Sequence, residues 1–280
     1  MAGIVPAIAA SGLPLGWQLH LLRAAARLGW RQSRLQRWGA DHPQIAVGPD
    51  WCQRAWWGVA AGGVVQRHLA NRSLRAAALR LAEPINWSEL DAARRAGGVI
   101  IATAHLGPPK FLMHVLLERH LPLLVWTNAA DLPPWLPATT NATFLDPLLP
   151  DERSVLMVKS AVHLRRGGVL LGAADMQTGA RSQEFDRLGR RWHLSPGLPA
   201  LARRLSVPTF LMLALWQGNR VRIDCHRLDP PADELADDQW QQAWLERYWN
   251  ELEKCITSTA ENLRFLRGID EGRFRRELGM

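Results

Sequence analysis

Lysine is nearly missing from this chain: there are 3 against 31 arginines, so a lysine at any given position is an uncommon choice. Cysteine is scarce as well. Cys52, Cys225 and Cys255 are odd in number and far apart, and no C-x-x-C pair occurs. That excludes a disulfide scaffold and a zinc-knuckle pattern and suits a reducing cytosol. His105, His114 and His120 do not have the H-E-x-x-H spacing, and His163 and His193 lack a carboxylate at ligand spacing. No metal is therefore expected, and nothing points to another cofactor. Long apolar runs are missing too. Residues 1–22 carry no charged side chain when His20 is neutral, but Pro6, Gly12, Pro14 and Gly16 interrupt them. Arginines follow that stretch rather than precede it, so it reads poorly as a secretory signal and marginally as a membrane span. There is no linker, low-complexity tract or charge block.

What is present is apolar, basic and rich in tryptophan. Of 280 residues 48% are apolar, enough for a sizeable core, and the net charge is +8 with a pI of about 10.5. A GC-rich genome accounts for arginine in place of lysine but not for the surplus of positive charge. The surplus favours an acidic partner: nucleic acid, anionic lipid headgroups or an acidic carrier protein. Nucleic acid is the least favoured, because the arginines are spread evenly and no helix-turn-helix or RNA-binding signature is found. Residues 18–38, with Trp30 and Trp38 among arginines, suit an interfacial amphipathic helix or, alternatively, a helix packed on its own domain. The organisation predicted is an N-terminal amphipathic, membrane-interfacial helical segment over 1–45, then one α/β domain over 46–280.

Two stretches repeat one another. Residues 92–105 and 163–175 each read as a helix with a basic last turn, a Gly-Gly stop, a buried strand and then a polar residue, His105 in one and Asp175 in the other. If both strands are parallel in one sheet, the two residues share its carboxyl edge, where open α/β sheets bind ligands. Generic α/β grammar explains part of the likeness. Helices are predicted within 50–82, from Ser88 as cap to Ala96, from Pro108 to about His120, and over 151–166, 197–206 and 237–263. Strands are predicted over 99–104, 123–127, 169–173 and 208–215, with an antiparallel strand over 220–227 after the Gly218-Asn219 turn. The stretch 131–150, with 5 prolines, reads as an ordered loop, and 174–196 as a long one. Trp240, Trp244 and Trp249 read as core. The fold expected is α/β, a mostly parallel central sheet flanked by helices.

Gly98 to Gly107, the strand with His105 at its end, resembles the lysophospholipid acyltransferase superfamily, and more closely its late branch, the lauroyl and myristoyl transferases of lipid A biosynthesis. Asp175 to Arg181 is similar to that branch's second block, an aspartate, a glycine and a basic residue. Leu201 to Phe210 resembles its helix and V-x-P strand, although Val207 and Pro208 are adjacent here. Glu261 to Arg267 resembles its arginine-bearing C-terminal end. The likeness covers roughly residues 80–270, with the blocks in order. It implies acyl transfer from a thioester of acyl carrier protein or coenzyme A to a lipid or small-molecule acceptor. The place implied is an anionic membrane surface, the cytoplasmic face of the inner membrane with the protein held peripherally, or alternatively the cytoplasm.

One position departs from the pattern. The family has H-x4-D or H-x4-E, and this chain has His105-x4-Lys110. An ammonium beside an imidazole lowers its basicity and cannot accept its N–H, so the usual dyad cannot operate unchanged. The expectation is that Lys110 turns towards a donor phosphate or acceptor anion, and that Asp175 orients His105, the expected general base. Otherwise Asp175 is a loop cap and the chain a catalytically dead scaffold that binds carrier protein or lipid. Arg181 reads as a phosphate ligand or as a solvated loop arginine, and Gly107, Gly179 and Asn128 complete the expected substrate-binding set. Backbone N–H groups at the start of the Pro108 helix are the expected oxyanion donors.

Overall fold

The computed structural model describes residues 4–28, 33–128, 130, 132–175 and 182–263. Arg181 and Gly179 lie outside them, as do Trp30 and the tail beyond Leu263. Five helices come first: α1 (Ile4–Ala10), α2 (Leu15–Arg27), α3 (Ser33–Asp41), α4 (Trp51–Ala70) and α5 (Arg75–Leu79). Then follow α6 (Ser88–Ala96), β1 (Val99–Thr103), α7 (Phe111–Glu118), β2 (Leu123–Trp126), α8 (Trp135–Thr139), β3 (Thr143–Leu145), α9 (Pro150–Arg165) and β4 (Val169–Ala173). The chain continues through a hairpin of β5 (Gln183–Arg187) and β6 (Arg190–Leu194), then α10 (Gly197–Leu205), β7 (Thr209–Gln217), β8 (Arg220–Leu228) and α11 (Asp237–Ser258). A 3-10 turn, Ala260–Asn262, ends the described chain.

The molecule is α/β, with six strands in the order β3-β2-β4-β1-β7-β8, all parallel except β8. Apolar side chains alternate along each central strand, as a sheet covered on both sides requires. Val99, Ile101, Leu123, Leu171 and Phe210 face α1, α2, α4, α6 and α7. Ile100, Ala102, Leu124, Leu170 and Leu211 face α9, α10 and α11. The chain leaves β1 for one layer, through α7, and proceeds from β4 to α10 in the other. Adjacent strands whose connections depart to opposite faces leave a crevice at their carboxyl ends.

Register makes the internal repeat concrete. β1 and β4 pair Val99 with Val169 through Thr103 with Ala173, a constant offset of 70. Carried two residues on, that offset sets His105 beside Asp175. Two glycines let neighbouring chain approach this frame: a Cβ on Gly98 would sit 2.2 Å from the Leu164 carbonyl oxygen, and one on Gly58 of α4 would sit 1.8 Å from that of Glu261. The β7–β8 hairpin closes at Gly218, φ +61, as its turn signal predicts. Trp240, Trp244 and Trp249 are buried core residues.

Several boundaries differ from the sequence reading. The single helix over 18–38 is two among the described residues: α2 ends at Arg27, with Leu28 as its C-terminal cap residue, and α3 begins at Ser33. Ser88 does not cap α6; Asn86 Oδ1 accepts the Ser88 N–H at 3.1 Å instead. Pro108 does not open α7, because a residue before proline is disfavoured in helical conformation. α7 starts at Phe111, behind Lys110 in a left-handed conformation, φ 57. The predicted loop 131–150 contains α8 and the short edge strand β3, and the predicted long loop contains the β5–β6 hairpin. The final helix stops at Ser258 rather than 263. Among the described residues no helix is long and apolar enough to cross a membrane.

Candidate active site

His105 follows β1 and Asp175 follows β4, and the structure brings them together. Asp175 Oδ1 lies 2.9 Å from His105 Nδ1, and Asp175 Oδ2 accepts the His105 backbone N–H at 2.7 Å. One carboxylate therefore fixes both the ring and the main chain of the same residue. A carboxylate only accepts hydrogen bonds, so the ring presents its Nδ1 proton to Asp175 and keeps the lone pair on Nε2. The Asp175 side chain is fully buried while that of His105 is 33% exposed. The dyad thus has a dry, fixed orienting end and an accessible basic end.

A tyrosine missed by the sequence reading holds the two strand ends in place. Tyr248 of α11, the chain's only tyrosine, is fully buried and donates its hydroxyl proton to the Thr103 carbonyl at 2.6 Å. Burial first, then the charge of Asp175, pushes its phenol well above the ordinary value, so the hydroxyl stays protonated. The backbone N–H groups of Ala174 and Asp175, at the end of β4, face the same oxygen and oppose that rise. One phenol therefore ties the end of β1 to the end of β4, directly beneath the dyad. The usable signal in the sequence was a lone tyrosine among the tryptophans of a core helix.

Gly107 sits next to the dyad for a structural reason. Its φ is +61, and a Cβ there would meet the Ala214 carbonyl oxygen at 1.9 Å. Its N–H is committed to the Asn262 carbonyl at 2.8 Å. Asn262, fully buried, also accepts the Trp216 N–H on its Oδ1 at 2.6 Å. The turn after His105, the end of β7 and the 3-10 turn are thus joined through Asn262. Asn128 serves its own loop, its Oδ1 accepting the Ala130 N–H at 3.0 Å. Of the donors expected near Pro108, the Gly107 N–H is spent on Asn262, and Pro108 and Pro109 have none.

Lys110 stands at the head of α7, where its charge bears on His114 one turn later. His114 is buried, and its Nδ1 accepts from Arg75 Nε at 3.1 Å. Burial, then the cations of Arg75 and Lys110, holds it down to about 3, so it stays neutral. Burial pushes the thiols of Cys225 and Cys255 up to about 11, which disfavours their thiolates, and raises that of Cys52.

No protein-family model and no curated protein matches this chain.

Proposed function

We propose that the chain is an acyltransferase that moves an acyl group from a thioester, on acyl carrier protein or coenzyme A, to a hydroxyl or amine of a lipid, glycolipid or secondary-metabolite acceptor. The observation that carries this reading is the pair of hydrogen bonds that Asp175 accepts from the ring and main chain of His105. It supplies, from the neighbouring strand, the carboxylate that the resemblance would place at position 110. That is why the active reading is preferred to the dead scaffold. In this reading His105 Nε2 takes the acceptor proton, the acceptor oxygen or nitrogen attacks the thioester carbonyl, and a tetrahedral oxyanion forms. Collapse expels the thiolate, which recovers the proton from the imidazolium, whose charge Asp175 stabilises throughout. Arg181 is the proposed phosphate ligand in the block that follows Asp175.

The proposed place of work is an anionic membrane surface, the cytoplasmic face of the inner membrane. Supporting it, Trp17 and Leu21 expose large apolar side chains four residues apart on α2, with Leu13 just before the helix, Leu28 just after it and Arg27 beside them. Trp17 is 65% and Leu28 82% exposed.

The test is thiol release from acyl-coenzyme A and acyl carrier protein by the purified protein, with mass spectrometry of lipid and small-molecule extracts to find the acylated product. His105→Ala should cost about 10²–10⁴-fold in rate, the range for loss of a general base. Full activity in His105→Ala would overturn the assignment.

A further inference from the structure

Away from the dyad, a cavity of about 600 Å³ lies between α5, the end of α7 and α8. Neither His105 nor Asp175 lines it. Arg72, Arg75, Ala76, Leu79 and Arg80 face it from the region of α5. Arg75, Ala76 and Leu79 share one face of α5, and Arg72 and Arg80 flank it from the turns on either side. Three guanidinium groups therefore line the cavity and, among the described residues, one carboxylate, Glu118, which already pairs with Arg75. The guanidinium groups of Arg72 and Arg80 have no partner among the described residues.

The cavity is built rather than incidental. Arg75 is held by two bonds to one residue, Nε to His114 Nδ1 at 3.1 Å and Nη2 to the His114 carbonyl at 3.2 Å. Its side chain is only 19% exposed, so the cation is fixed in direction before any ligand arrives. His114 behind it is neutral, so its Nδ1 can accept from Arg75. Trp135 forms an aromatic wall, fixed by its Nε1–H to the Ala70 carbonyl at 2.7 Å and lying 6.0 Å under the Arg75 guanidinium. Leu79 and Ala76 add apolar surface.

We propose that this cavity binds a phosphate ester or diphosphate bearing an apolar group, with the anion among Arg72, Arg75 and Arg80 and the apolar part on Trp135 and Leu79. Planar guanidinium forks match phosphate oxygens in pairs, and the charge of Arg72 and Arg80, unlike that of Arg75, is not offset by Glu118. The site is separate from the acyl-transfer reading and does not depend on it.

The probe is inorganic pyrophosphate, titrated calorimetrically into the full chain. Saturable binding that weakens with added salt is expected, unchanged in His105→Ala and weakened about tenfold or more in the double variant Arg72→Gln, Arg80→Gln. Both replaced side chains are exposed, so folding should survive, and a thermal melt checks it. Absence of saturable binding, indifference to the double variant, or loss in His105→Ala would overturn the proposal. The source of the anion follows from a second arm with vesicles containing phosphatidic acid. Vesicle binding that pyrophosphate displaces assigns a lipid headgroup; pyrophosphate binding without such competition assigns a soluble phosphorylated compound. Both outcomes support the site.

Discussion

At the scale of single residues, the site depends on where one carboxylate is placed. Asp175 approaches His105 from a different strand, so the residue at position 110 is released from the orienting role. Lys110 can then occupy a left-handed position that favours glycine, with its charge acting on His114. Asp175→Asn should keep the geometry but present an amide that can hold the ring in the wrong tautomer. The expected result is a fall in kcat of about 10²–10⁴-fold with KM little changed. Tyr248→Phe should act more mildly. It deletes the donor to the part-buried Thr103 carbonyl and leaves that oxygen unsatisfied, so a loss of about 1–3 kcal/mol in stability is expected. A smaller fall in kcat should accompany it, because the strand ends are loosened while the dyad itself is kept. Urea denaturation and steady-state kinetics on the same variant separate the two effects. Unchanged stability in Tyr248→Phe would show that the phenol does not tie the strands.

At the scale of elements, α2 is two-sided. Leu15, Leu19, Leu22, Ala25 and Ala26 are buried against the domain, and Arg23 lies 4.4 Å above the Trp57 ring of α4. The opposite face carries Trp17, Leu21 and Leu28 outward. Replacing Trp17 and Leu21 by serine should leave the fold intact and reduce cosedimentation with anionic vesicles, with the remaining binding more sensitive to salt. Undiminished vesicle binding would sink the membrane role of this face. Strands β1 and β4 were legible because each follows a Gly-Gly stop, and β2 and β7 because each follows a proline; all four are mostly buried, which writes a continuous apolar run, whereas the short edge strand β3 has no such run. The offset of the two Gly-Gly strands also foretold the meeting of His105 and Asp175. The β5–β6 hairpin was not legible. Its strands are mostly polar, with Phe185, Trp192 and Leu194 the buried positions among those described. Its turn is Leu188-Gly189 with φ of 53 and 73, both positive. That conformation is usually signalled by Asn-Gly, and leucine hides it. Tyr248 was equally hidden, because a phenol in a helix between tryptophans looks like any other core aromatic until its hydroxyl is seen against Thr103.

At the scale of the whole molecule, stability should depend on acid through His114. Its folded value is about 3 against an ordinary 6.5, so between those pH values the unfolded chain binds more protons than the folded one. Stability therefore rises with pH across this window and is lost as pH falls from about 6.5 towards 3. The loss is at most about 1.4 kcal/mol for each unit of separation. His114→Gln keeps an acceptor for Arg75 and removes the titration, so its denaturation midpoint should change less between pH 6.5 and 4 than that of the parent chain; equal slopes would refute the assignment. The chain's single tyrosine has a further use at this scale. Biosynthetic incorporation of fluorotyrosine would place one fluorine-bearing ring in the entire molecule, beneath the two strand ends. Its magnetic resonance would be a line without overlap. A shift on adding thioester or acceptor would report that occupancy reaches the dyad, even where no product has yet been identified.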